Sequence, residues 1–174
     1  MAEYGSTPRT TVRHKAQRLA CWNADAVRSR MLELVHFLSQ NGVNICLLIE
    51  TFLNSGQAFR LAIYVCHRTE KPTAGAGIAI LVRRRIVHHS VTIPGLTHLE
   101  ATAVQVTLAG RPVKILAAYH SPSRPLTGAV MNACFGGGLS VLMAGDLKTK
   151  HVDWNSRLTR RGNDYVITPT RTLV

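Results

Sequence analysis

Ile45-Cys46-Leu47-Leu48-Ile49-Glu50 sets five apolar residues in a row and ends them on a carboxylate. A strand with one wet face would place a polar residue at every second position, so this run reads as a strand covered on both faces. Upstream, Met31, Leu34, Val35 and Leu38 keep the i, i+3, i+4, i+7 spacing of an amphipathic helix across Val27 to Gln40, and Asn41-Gly42 supplies its stop. Before the helix, Arg18-Leu19-Ala20-Cys21-Trp22 reads as a strand ending at Asn23. The order strand, helix, strand implies a parallel pair, which brings Asn23 and Glu50 to the same edge of one sheet.

Downstream the pattern becomes strand-rich. Gly77 to Val82, Ile86 to Ile93, Ala101 to Leu108 and Val113 to Tyr119 are short, β-branched or alternating, and separated by Arg, Gly or Pro, which predicts an antiparallel meander. Leu126 to Phe135 is a helix candidate closed by Gly136-Gly137-Gly138, and Leu139 to Ala144 is a last strand. Gly145 then permits a tight turn before Asp146. Elements in this order predict an α+β fold, a layered sandwich with helices outside paired sheets.

A chain of 174 residues with 46% hydrophobic content suffices for one domain with a core. Twenty-one Lys and Arg against nine Asp and Glu leave a formal charge of +12, which favours a polyanion. Charge alone leaves open a nucleic-acid groove, an acidic membrane surface or a solvated basic face. The basic residues spread over Arg9 to Arg18, Arg83-Arg84-Arg85, Lys148 to Lys150 and Arg157 to Arg171. Cys21, Cys46, Cys66 and Cys134 lack metal-type spacing, so the expectation is reduced thiols in a reducing compartment. No apolar stretch approaches the ~20 residues that cross a bilayer, and Met1 to Arg18 has no signal-peptide core. A soluble intracellular protein without a membrane partner is expected.

Met143-Ala144-Gly145-Asp146-Leu147-Lys148-Thr149-Lys150-His151-Val152-Asp153-Trp154-Asn155-Ser156 resembles the Gly-Asp-(Leu/Phe)-Asn-Ala-Lys-His…Trp-Asn-Ser motif of non-LTR retrotransposon endonuclease domains. Those domains belong to the endonuclease/exonuclease/phosphatase superfamily, with deoxyribonuclease I and the apurinic/apyrimidinic endonucleases. Further segments resemble the family in the same order: Cys21-Trp22-Asn23-Ala24, Ile49-Glu50-Thr51-Phe52-Leu53, the glycine-led Gly75 to Val82, and Ala118-Tyr119-His120-Ser121-Pro122. The likeness runs from about residue 17 to 160. It implies a four-layer α/β sandwich, two β-sheets flanked by helices, formed by residues 16–174 behind a flexible segment 1–15 and incomplete at its carboxyl-terminal side.

The resemblance also implies a magnesium-dependent DNA endonuclease, with manganese as a substitute metal, joined in an intact element to a downstream reverse transcriptase and acting in the nucleus. Glu50 would hold the metal, with Asn23 contributing an amide oxygen or donor beside it. Asp146 would orient or activate the attacking water, and the Tyr119 hydroxyl would stabilise charge on the phosphate. Lys148 stands where the family has asparagine, putting a cation on a long stem in place of a short neutral amide. The family's general base is the histidine of a later Ser-Asp-His segment, and no Asp-His pair occurs in these 174 residues. The expectation is therefore an endonuclease weakened or inactive in this copy. The alternative is a non-catalytic basic nucleic-acid-binding remnant. A phosphatase of small phosphoesters is a third reading, disfavoured by the Lys-His-x-x-Trp-Asn-Ser wording and the basic charge.

Each of these residues also has a structural reading. Glu50 can end a strand in solvent, Asp146 can serve a turn, Asn23 can cap a helix and Tyr119 can bury its ring. His88 and His89 should point to opposite faces of a strand, so they cannot share one metal ion. Gly136-Gly137-Gly138 lacks the Lys-Ser/Thr of a phosphate loop and reads as a helix stop.

Overall fold

In a computed structural model, residues 16–69, 77–94, 96, 99–121 and 126–147 are described. Ile45–Ile49 forms β2, and all five of its side chains are buried. Ile45, Leu47 and Ile49 enter one core while Cys46 and Leu48 enter another, as the unbroken apolar run requires. The parallel neighbour β1 (Leu19–Asn23) pairs with it in the register Asn23↔Ile49, and the helix α1 (Met31–Gln40) connects them. α1 lays Leu34 and Leu38 on the outer face of this sheet. It begins four residues later than the periodicity predicts, because Asp25 and Ala26 take positive φ (39° and 70°) and 27–30 form a turn.

The predicted meander is corrected. β4 (Ile78–Arg83) leaves it and pairs antiparallel with β2, and β3 (Tyr64–His67), which the sequence reading missed, pairs antiparallel with β4. The first sheet thus has the order β1-β2-β4-β3. Past the turn 84–85 the chain enters a second sheet, with β5 (His88–Val91), β6 (Leu99–Leu108), β7 (Arg111–His120) and β8 (Ser140–Asp146) in sequence order. β6 and β7 form a hairpin across Ala109-Gly110, both at positive φ (48° and 77°), as a two-residue turn between right-twisted strands demands.

Three cores make the layers. One lies between α1 and the first sheet, and a second lies between the sheets, where Ile45, Ile80, Val104 and Ile115 meet. The third joins Leu116 and Ala118 of β7 to Val130 and Cys134 of α2 (Gly128–Phe135). α2 starts at Thr127, whose hydroxyl accepts from the Val130 amide, and stops at Gly136 as the triple glycine predicts. The buried Lys114 donates to the Gly136 carbonyl at 3.0 Å, placing a cation at the negative end of α2. The order helix, sheet, sheet, helix is the four-layer sandwich expected.

Candidate active site at the carboxyl ends of four strands

Side-chain alternation decides what faces the gap between the sheets. On β7, Val113, Ile115 and Ala117 enter the inter-sheet core, so Tyr119 continues on that face and packs against it. On β8 the same parity carries Ala144 and then Asp146 inward. β7 and β8 are parallel and pair Tyr119 with Asp146 directly. Asn23 shares the parity of Leu19, the β1 residue packed on the inter-sheet core.

Glu50 follows β2 in a left-handed conformation (φ 55°), and Phe52 repeats it (φ 49°). Non-glycine residues seldom adopt this region, and the surrounding hydrogen bonds hold them there. The amides of Ala24, Ala26 and Val27 donate in turn to the carbonyls of Ile49 (2.7 Å), Glu50 (3.1 Å) and Thr51 (3.1 Å). On the other side the Thr51 amide donates to the Gly77 carbonyl at 3.1 Å. The backbone around Glu50 is thereby clamped between the β1 exit and the β4 entry.

Glu100 aligns the two sheets at this end. It lies on β6 opposite Tyr119 in register, and its Oε2 accepts from the Gly77 amide at 3.2 Å. The ends of β1, β2, β7 and β8 therefore meet at one rim of the sandwich. Asn23 and Glu50 stand there at the ends of β1 and β2, and Tyr119 and Asp146 at the paired ends of β7 and β8. Asn23 uses Oδ1 to accept from the Asp25 amide at 3.1 Å, closing a local turn rather than capping α1, whose N-cap is Arg30. Asp25 itself pairs with Arg30 at 3.2 Å.

Two further residues support the rim and were not singled out from sequence. Glu100 sits in an alternating strand, where a lone carboxylate reads as a solvent-facing position. His120, buried on the α2 side of β7, donates through Nδ1 to the Leu147 carbonyl at 3.1 Å and fixes the chain just beyond Asp146. Gly145 is required where it stands, since a Cβ there would lie 1.7 Å from the Ala118 carbonyl oxygen. Lys148, the Lys150 to Ser156 motif, Gly75-Ala76, Pro122 and segment 1–15 lie outside the described residues.

Residues 20–168 match the Endonuclease/Exonuclease/phosphatase family. The chain belongs to that family. The family is named for endonuclease, exonuclease and phosphatase activities, all of them hydrolyses of phosphate esters. The RNA-directed DNA polymerase from mobile element jockey of Drosophila melanogaster is 25% identical over 149 residues, 83% of this chain and 16% of that protein. Its Drosophila funebris counterpart is 26% identical over the same shares. The chain thus spans about one-sixth of the length of the curated relatives it matches. Among solved structures, the endonuclease domain of TRAS1, a telomere-specific non-LTR retrotransposon, superposes with TM-score 0.68 at 15% identity. That match covers 84% of this chain and 65% of the TRAS1 chain, just under two thirds. Humanized D. rerio TDP2 gives 0.53 at 17% identity, covering 82% of this chain and 67% of that one. These superpositions establish the endonuclease/exonuclease/phosphatase sandwich.

The donors at the family rim are all hard oxygen atoms: the Glu50 and Asp146 carboxylates and the Asn23 amide. Among the described residues no three His, Cys, Asp or Glu side chains lie close enough together to hold an ion. His88 and His89 do not join in: His88 stacks edge-on against His67 with ring centroids 4.9 Å apart, while His89 is exposed.

Proposed function

We propose that this chain is the magnesium-dependent DNA endonuclease domain of a retrotransposon-derived protein that also carries a reverse transcriptase, and that its activity is weakened in this copy. The observation that carries the reading is the register pairing Tyr119 with Asp146 at the rim where Glu50 is clamped beside Asn23. The relatives named as RNA-directed DNA polymerases support the linked transcriptase, and the +12 charge supports a DNA partner.

Each residue has a role that its position suits. Glu50 and Asn23 would hold the metal on the β1–β2 side, and a bound magnesium ion polarises the phosphodiester. Asn23 has one lone pair of Oδ1 committed to Asp25, so its Nδ2 is the group best placed to donate to a phosphate oxygen. Asp146 would orient the attacking water, and the adjacent Tyr119 hydroxyl would donate to the developing negative charge. Lys148 would replace a neutral amide contact with a point charge that binds phosphate and repels the metal.

Lys148 also favours the second reading, nucleic-acid binding without hydrolysis. A plasmid nicking assay with magnesium or a chelator separates the two. A chain carrying Lys148→Asn and a carboxyl-terminal Asp-His segment from an intact relative should nick only with magnesium, and Asp146→Ala should abolish this. Failure of that restored chain to nick would leave binding as the function, and robust nicking by the unmodified chain would overturn the weakened state.

A further inference from the structure

Phe52 stands two residues past Glu50, and it is 51% exposed. Consecutive Cα atoms lie 3.8 Å apart, so its Cα is within ~7.6 Å of that of Glu50. The residues on either side of it turn inward: Thr51 is buried, and Leu53 packs against the core beneath α1. Among the described residues, none of the cores includes the Phe52 ring.

The backbone makes this exposure informative. Single apolar residues on a surface are ordinary and need no function. Phe52, however, takes φ 49°, a region that glycine enters freely and a bulky side chain enters at a cost. The segment is held there, since the Thr51 amide donates to the Gly77 carbonyl and the Thr51 carbonyl accepts from the Val27 amide, each at 3.1 Å. A ring fixed in a costly conformation outside the cores does little for the fold, and strain of this kind gathers where a ligand is held.

The position selects the ligand. The +12 charge addresses the phosphates of a nucleic acid and carries no contact to its bases. A strand whose phosphate lies at Glu50 brings a base within one nucleotide of Phe52, and every base has a π-face on which an aromatic ring can stack.

We infer that Phe52 is a stacking platform for a nucleobase of the DNA strand whose phosphate lies at Glu50. The inference rests on the nucleic-acid reading above and adds a base contact to it.

Anisotropy titration of a labelled single strand of DNA, with magnesium present, tests it. Phe52→Leu keeps apolar bulk without a π-face and should weaken binding ~10-fold, the scale of one lost base stack. The slope of log affinity against log salt should stay unchanged, because no phosphate contact is lost. Phe52→Trp should bind at least as tightly as the parent. Phe135→Leu removes an exposed ring from the end of α2 and should change nothing. Phe52→Gly relieves the left-handed strain, so it should lose affinity as Phe52→Leu does without lowering the melting temperature. Unchanged affinity in Phe52→Leu, an equal loss in Phe135→Leu, or a lowered melting temperature in Phe52→Gly would overturn the platform while leaving the nuclease reading to the nicking assay. A parent chain that bound no DNA would overturn both.

Discussion

The Glu100 carboxylate accepts the Gly77 amide at 3.2 Å, joining β6 of the second sheet to the entry of β4 in the first. Gly77 in turn accepts from Thr51, the residue after Glu50. This carboxylate thus links the Glu50 side of the rim to the Tyr119–Asp146 side, beside the hydrogen bonds of Thr69 to Ala101 and Thr102 of β6. Glu100→Ala should weaken magnesium affinity ~10-fold, the scale found for groups that orient a metal ligand. Glu100→Gln keeps an acceptor oxygen and should recover most of it, as read by isothermal titration with magnesium. Equal loss in both variants would show that Glu100 acts by its charge and not as a strut.

Glu50 itself should be indispensable to metal binding and dispensable to folding. It lies past the last residue of β2 and is only half-buried. Glu50→Gln should therefore leave the circular dichroism spectrum unchanged while abolishing magnesium binding. Unchanged affinity in that variant would remove Glu50 from the ligand set.

Gly145→Ala should damage the site through the backbone. Its Cβ would lie 1.7 Å from the Ala118 oxygen and 2.7 Å from the Ala118 carbon, so β8 must move off β7 at the residue before Asp146. Overpacking of this kind costs about 1–3 kcal/mol, measurable as a lower urea midpoint. A variant as stable as the parent would mean that the β7–β8 register differs at Gly145.

Acid should loosen the contact between the sheets at His67. Burial, and then the neighbouring His88, lower the His67 pKa from its ordinary 6.5. The folded chain therefore binds this proton less readily than the unfolded chain does. The associated stability is complete above the ordinary histidine value and is lost as pH falls through it toward the lowered folded value. His67→Phe, which cannot titrate, should flatten the decline in melting temperature between about pH 7 and pH 5. An identical decline in the variant would place the acid sensitivity elsewhere.

Restoring Lys148→Asn alone should not restore nicking. Loss of a general base costs ~10²–10⁴-fold in rate, whereas one transition-state hydrogen-bond donor costs roughly 10²–10³-fold. Lys148→Asn together with a carboxyl-terminal Asp-His extension should therefore exceed either change alone in a plasmid nicking assay. Full recovery from Lys148→Asn would show that another residue already serves as base.

What could be read in the sequence follows from how local each signal is. The both-faces-apolar run at Ile45–Ile49 matched β2 to the residue, because a short β-branched-ended apolar run suits a strand with a core on each side. The helical crossover likewise specified that β1 and β2 are parallel and that Asn23 and Glu50 share an edge. Those two facts placed Asn23 and Glu50 together, and only the resemblance of the segments around them, Tyr119 and Asp146 to the family's motifs named the candidate site. β3 was not legible, since four residues between loops carry too little period to stand out.

Partner choice lay beyond the sequence for a different reason. Ile78–Arg83 has the same apolar run whether it joins the strands that follow it or returns to β2, because either placement buries both faces. Only the assembled sandwich decides between them. Glu100 depends on that decision: once β4 joins the other sheet, Gly77 arrives opposite and the carboxylate accepts from its amide. The residues that can do chemistry were determined by their order along the chain, while the residues that hold them together were decided by contacts between sheets, which no local pattern encodes.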